Sequence, residues 1–225
     1  MKDDLLIVDN SIDPEFYRPL DHWRAAGAGA FAAVRPPAGE ALPDPGRFRH
    51  VILTGSECSI VTLPAWAFDE AAWLRQAVRR GARVLGSCFG HQLIALALGS
   101  RTCVRRAARP EFGWIPLDLA GEWLLPPGQY HAFAAHFDEV VESSHAELRA
   151  AGASPDCRVQ FLRWGALPVF GMQAHPEIGP EEGADFLRRA ERYFPEAADR
   201  FAAARVGPVR DDHLAPRILE AFLAL

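Results

Sequence analysis

The sequence predicts an α/β protein: a mostly parallel central sheet flanked by helices, with an antiparallel extension after the helix that follows residue 88. Three observations predict it. Short aliphatic runs in the first hundred residues each stop at Asp, Gly or Ser. One interval between them carries clear helical spacing, and beyond residue 101 turn residues begin to separate strand-like runs.

"LLIV" (5–8), "HVILT" (50–54) and "RVLG" (83–86) read as buried strands. Between the last two, "DEAAWLRQAVRRG" (69–81) has apolar residues at 71, 74, 77 and 78, acids first, arginines last and Gly81 as a stop, which predicts a helix. Strand, helix, strand in this order implies parallel pairing, and ligands of such sheets collect at the carboxyl ends of the strands. "RPPAGEALPDPGRF" (35–48), rich in Pro and Gly but bracketed by strands, reads as a long loop. "TCVRR", "GWIPLDL", "YHAFAAHF", "EVVESS", "VQFLRW" and "PVFGMQA" then read as antiparallel strands. "PEEGADFLRRAERYF" resumes helical spacing, and "LAPRILEAFLAL" is an amphipathic helix with Pro216 in its first turn.

A chain of 225 residues, 49% hydrophobic, has enough apolar surface for one generous core, so residues 1–225 are expected to form a single domain. A net charge of −5 offers no electrostatic attraction for nucleic acid or an anionic membrane. The opening "MKDDLLIVDN" holds too short an apolar run for a signal peptide or a membrane span, so a cytoplasmic location is expected. Cys58, Cys88, Cys103 and Cys157 are widely spaced without a CxxC pair and read as reduced thiols. His131 and His136 fall on opposite faces of a strand, which argues against a shared metal, and no metal or cofactor is expected. The tryptophans read as core or rim residues.

The informative stretch is "VLGSCFGHQLIALALGS" (84–100), where a strand gives way to a helix at a cysteine set between glycines. Such a corner strains the backbone and lifts the side chain above the sheet, and the glycines permit the turn. The unpaired NH groups and dipole of the following helix favour an anion, and the thiolate is the nucleophile. The NH of Phe89 would face an oxyanion formed on an attacked carbonyl. "GSCFG" alone fits a small buried hydrophobe equally well.

A thiolate nucleophile needs an imidazole to carry the proton, and the imidazole needs an acceptor to fix its tautomer. "GMQAHPEIG" (171–179) offers both. Pro176 favours an extended backbone before it, and residues i and i+2 of an extended segment face one side, so Glu177 can orient His175. A lone HPE is otherwise a structural histidine beside a solvated glutamate. In "ILTGSE" (52–57) a strand ends at Gly55, where a bare backbone can approach the corner as a second oxyanion donor, or simply turn.

Together, "GSCFGHQ", the later "HPE" after an apolar strand and the earlier glycine loop resemble the class I (triad) glutamine amidotransferases, in particular their GMP synthetase glutaminase-like branch. The resemblance runs from the strand ending at Asp9 to the helix after the HPE. It implies a flavodoxin-like, class I glutaminase-like fold and hydrolysis of the glutamine side-chain amide through a γ-glutamyl thioester, with release of ammonia. It assigns Cys88 as nucleophile, His175 as general base and acid, Glu177 as its orienter, Gly55 and Phe89 as oxyanion donors, and Gln92 as a substrate contact. "AAHFD" (134–138) is similar to the family's substrate-bordering SHxD segment, with Ala135 in place of serine, which makes His136 and Asp138 substrate neighbours. The oxyanion loop reads "TGSECS" with one glycine, and Ala174 replaces the aromatic residue usual before the histidine.

There is no GxxxxGK(S/T) phosphate loop and no SGGxDS stretch like that of the pyrophosphatase half of GMP synthetase. The resemblance therefore implies a separate ammonia-accepting synthetase chain as partner. Two alternatives stand beside it: a self-sufficient hydrolase of γ-glutamyl compounds, and a non-catalytic member that binds a small ligand or a protein. A cysteine enzyme of another α/β family, such as a DJ-1-like one, fits the corner but not the HPE.

Overall fold

The computed structural model of the protein describes residues 3–142 and 144–225. Among these residues nine strands form one mixed sheet in the order β2-β1-β3-β4-β9-β8-β7-β5-β6. Its first half is parallel: β1 (Asp3–Val8), β2 (Ala32–Val34), β3 (Phe48–Leu53), β4 (Arg83–Ser87) and β9 (Val169–Met172) all run one way. Leu5 to Val8 are all buried, as a strand covered on both faces requires.

One face carries α2 (Ala65–Arg79) and α3 (Phe89–Leu98), whose Leu74, Ala77, Leu93 and Ile94 pack on Val51, Leu53 and Val84. The other face is covered by Trp23 of α1 (Pro19–Ala25) and by Ile218 and Phe222 of α6 (Leu214–Leu223). The α2 helix begins earlier than the acids at 69 and 70 predicted. Pro64 precedes its first residue, and "AWAF" continues the apolar spacing with Ala67 inward. Glu70 is consequently not a start signal but a buried residue of the second turn.

The other half is antiparallel: β5 (Val104–Leu119) and β6 (Gly128–Val140) form a long hairpin. β7 (Leu148–Ala153) and β8 (Phe161–Trp164) connect that hairpin to β9. The strands expected at "TCVRR" and "GWIPLDL" are one strand whose register shifts between Arg106 and Glu111, around Pro110, which has no NH to give to a ladder. Residues 101–103 form a single 3₁₀ turn instead. The strand expected at "EVVESS" ends at Val140, and position 143 lies outside the described residues.

The helices α4 (Pro180–Tyr193) and α5 (Ala198–Arg205) close a third apolar cluster, containing Phe16, Tyr17, Phe133, Phe186 and Phe201, over the carboxyl end of the parallel strands. All four cysteines are free; Cys58 is half-buried and the other three are buried. Trp73, Trp123 and Trp164 are buried in the core. Among the described residues no helix is long and apolar enough to cross a membrane.

Candidate active site

Cys88 occupies the corner between β4 and α3 with φ 47° and ψ −106°, a left-handed backbone that is uncommon for a residue with a side chain. Two glycines make the corner possible. A Cβ on Gly86 would lie 2.5 Å from the carbonyl carbon of Gly90, and one on Gly90 would lie 2.2 Å from the backbone oxygen of Leu53. Backbone bonds then fix the corner: Cys88 NH donates to Met172 O at 2.9 Å and Gly90 NH to Thr54 O at 3.0 Å.

The first of these bonds lies at the seam between β4 and β9, where Ser87 stands opposite Met172. The register carries the chain beyond β9 directly past the corner. His175 NH bonds to Phe133 O at 2.7 Å, anchoring the HPE segment to β6 as well. The His175 ring meets Glu177 through Nδ1 and Oε1 at 2.8 Å, with both side chains buried. Cys88 lines the same cleft as that ring, its Sγ 3.9 Å from Ala135 O. Burial alone would pull the imidazole down, but the cysteine sulfur and the Glu177 carboxylate outweigh it and push it up to about 10. Burial likewise opposes ionisation of Glu177, yet His175 and the Tyr17 hydroxyl hold its carboxyl below the usual range.

Tyr17, from the segment between β1 and α1, donates to Glu177 Oε1 at 2.6 Å and lies 3.4 Å from His175 Nδ1. Its contacts join residues far apart in sequence and follow no local motif, so no short stretch of the chain announces them.

Gly55 sits against the catalytic-type pair: a Cβ there would come within 2.6 Å of His175 Cε1. Phe89 is the first residue of α3, so its NH has no intrahelical acceptor. Among the described residues neither Gly55 NH nor Phe89 NH donates to another group of the protein, leaving both available beside the corner.

The three expected substrate contacts line the cleft that contains Cys88 and His175, and each is held by hydrogen bonds to its neighbours. Gln92 Nε2 donates to Asp138 O at 2.8 Å and to Gln173 Oε1 at 3.1 Å. Asp138 accepts from Ser59 Oγ at 2.5 Å and pairs with Arg106 at 3.2 Å. His136 places Nδ1 3.0 Å from Asp138 O and Nε2 3.1 Å from Glu111 Oε2. These groups shape the cleft wall by holding one another.

Among the described residues, Glu111, His136 and Cys157 form the one group with metal-binding atoms mutually close, within 4.8 Å. The Glu111 oxygens there already accept from Ser154 at 2.7 Å and Gln160 at 2.7 Å, besides facing His136. Hydrogen bonds thus account for the Glu111 and His136 atoms of the cluster.

A strained cysteine corner and an oriented imidazole on one cleft, with two NH groups beside the corner that make no hydrogen bond among the described residues, form an arrangement suited to acyl transfer from an amide. Known proteins similar to this chain include some named for glutamine hydrolysis. The chain is 39% identical over 98 residues to a GMP synthase (glutamine-hydrolyzing) subunit of Saccharolobus solfataricus, covering 42% of this chain and 50% of that one. It is 32% identical over 109 residues to the corresponding subunit of Thermococcus kodakarensis, covering 47% and 56%. The chain thus spans about half the length of these curated relatives. Two solved structures share the fold at 20% identity each. A glutamine amidotransferase from Thermotoga maritima has a TM-score of 0.73, with 98% of this chain and 96% of that one covered. A glutamine amido transferase from Methylobacillus flagellatus has a TM-score of 0.71, with 100% and 93% covered. The sequence profile of the glutamine amidotransferase class-I family matches residues 48–191, so the chain belongs to the class I glutamine amidotransferases.

Proposed function

We propose that the protein hydrolyses the side-chain amide of glutamine, or of a γ-glutamyl compound, through a thioester on Cys88. The observation that carries this reading is the strained Cys88 corner facing a His175 whose ring is held by Glu177. The thiolate attacks the γ-carbonyl carbon while the NH groups of Gly55 and Phe89 receive the oxyanion. His175, charged while paired with the thiolate, delivers its proton to the departing nitrogen. Water then loses a proton to His175 and attacks the thioester, releasing glutamate and restoring the thiolate.

In this reading Gln92, His136 and Asp138 border the substrate, and residues 1–225 act as one domain that requires no cofactor. The protein works in the cytoplasm, a reducing compartment that suits four free thiols. A separate synthetase chain accepts the ammonia; the archaeal relatives are themselves named as subunits. The test is ammonia release from L-glutamine by the purified protein beside Cys88→Ala. Loss of about 10⁴-fold or more in the variant, with an unchanged thermal melt, is expected. Equal release by both proteins would exclude the thioester.

A further inference from the structure

The cleft that opens on Cys88 and His175 has an apolar far wall. Phe112 of β5 and Phe137 of β6 pack with ring centroids 5.0 Å apart. Phe194, at the end of α4, stands 5.5 Å from Phe137, and Phe201 of α5 lies 4.3 Å from Phe112. Phe112, Phe137 and Phe194 are only half-buried and face the cleft. At the rim, the Arg106 guanidinium lies 4.6 Å over the Phe137 ring. Its Nη1 is held by Asp138 Oδ1 at 3.2 Å, while 56% of its side chain remains exposed.

Ammonia, the leaving group of glutamine, is too small to touch this wall. The glutamyl half of the donor is zwitterionic at its α-carbon, and pressing it against phenylalanines would strip its charges of water without pairing them. Only the amine half of a larger γ-glutamyl amide can match an apolar wall. A stacked arginine with unused NH donors at the wall's edge matches a carboxylate on that same amine.

We propose that Phe112, Phe137 and Phe194, with Arg106 at their rim, form a subsite for the leaving amine, and that this amine is a hydrophobic α-amino acid. The substrate class is then γ-glutamyl dipeptides such as γ-glutamyl-phenylalanine. This rests on the Cys88 thioester reading and deepens it. Sγ bonds to the γ-carbonyl carbon, the C–N bond breaks, and the His175 proton goes to the nitrogen of the departing amino acid. Water then supplies the hydroxyl that frees glutamate from Cys88 and the proton that returns to His175.

The experiment measures kcat/KM for γ-glutamyl-phenylalanine, γ-glutamyl-glycine, the γ-glutamyl amide of phenethylamine and L-glutamine, on the wild-type protein, Cys88→Ala, Phe137→Ala and Arg106→Met. A value for γ-glutamyl-phenylalanine at least tenfold above that for γ-glutamyl-glycine is expected, and Phe137→Ala should shrink that ratio at least fivefold. Arg106→Met should erase the preference for γ-glutamyl-phenylalanine over the carboxylate-free phenethylamide. Thermal melts verify that each variant is folded. Cys88-dependent release of ammonia from glutamine, without preference for the phenylalanine dipeptide, overturns the subsite and leaves the thioester reading standing. Absence of Cys88-dependent turnover on all four compounds overturns both. If Phe137→Ala proves unfolded, Phe137→Leu, which narrows the wall without emptying it, must still lower the ratio for the proposal to stand.

Discussion

Glu177 Oε1 accepts from both His175 and Tyr17, whereas Oε2 has no hydrogen-bond partner among the described residues. The two donors do different work. His175 gains its orientation from Oε1, and the Tyr17 hydroxyl helps keep the carboxyl ionised. Because the Glu177 carboxyl is held below its ordinary range, the stability its ionisation adds is fully present above that range and is lost as pH falls through the folded value. Tyr17→Phe removes one cause of that depression. The acid limb of the kcat/KM–pH profile is therefore expected to move to higher pH, with kcat falling severalfold; a limb that stays in place would reduce Tyr17 to a packing residue. Glu177→Gln acts at the opposite end. It removes a negative charge that holds His175 up near 10, so the alkaline limb is expected to move to lower pH as the imidazole loses its proton earlier. By analogy with other orienting carboxylates, kcat drops by roughly 10²-fold or more.

Among the elements, α2 behaves least as its sequence suggests. Glu70 is fully buried in it, its Oε1 accepting from Asn10 Nδ2 at 3.1 Å while Oε2 has no partner among the described residues. Burial pushes its carboxyl up to about 8, against 4.5 in an unfolded chain. Between those values the folded state holds a proton that the unfolded state has lost, so stability falls as pH rises through that window. Glu70→Gln abolishes the ionisation. The variant is expected to match the parent at pH 5 and to exceed it at pH 8 by on the order of 2–4 kcal/mol, read as a rise in Tm of roughly 5–10 °C.

The same scale explains what the sequence revealed. β1, β3 and β4 are dense aliphatic runs buried on both faces, and the Cys88 and HPE motifs lie at the ends of such runs, so pattern alone located them. β7 reads "LRAAGA", without β-branched or aromatic residues, and α1 spans one short turn pair; their stability comes from neighbours rather than from their own composition. Glu70 was masked for a related reason, since an acid near a helix start reads as a dipole partner until packing turns it inward. His136 and Asp138, which pattern alone would leave at a surface strand end, are buried by contacts with Glu111, Ser59 and Arg106.

At the scale of the molecule, the parallel and antiparallel halves share one hydrogen-bonded sheet and meet at β9, which pairs in parallel with β4 and antiparallel with β8. The proposal of a single domain predicts a single unfolding transition. Buried tryptophans stand in both halves, Trp23 and Trp73 in one and Trp123 and Trp164 in the other. Tryptophan fluorescence and far-ultraviolet circular dichroism should therefore give superimposable melting curves. Two separated transitions would divide the sheet beside β9, between its parallel and antiparallel halves.

The seam also has a meaning in time. On the ribosome the strand ending at Ser87 and the cysteine after it emerge early, and everything from β5 to β8 must follow before Met172 can pair beside them. Until then the thiol has neither its imidazole nor the carbonyl that holds its corner. On the proposed thioester mechanism, a growing chain, or one truncated before β9, thus carries Cys88 in an inert form. The proposed chemistry can then begin only when the longest-range pairing of the sheet closes, so correct folding would act as its own safety catch.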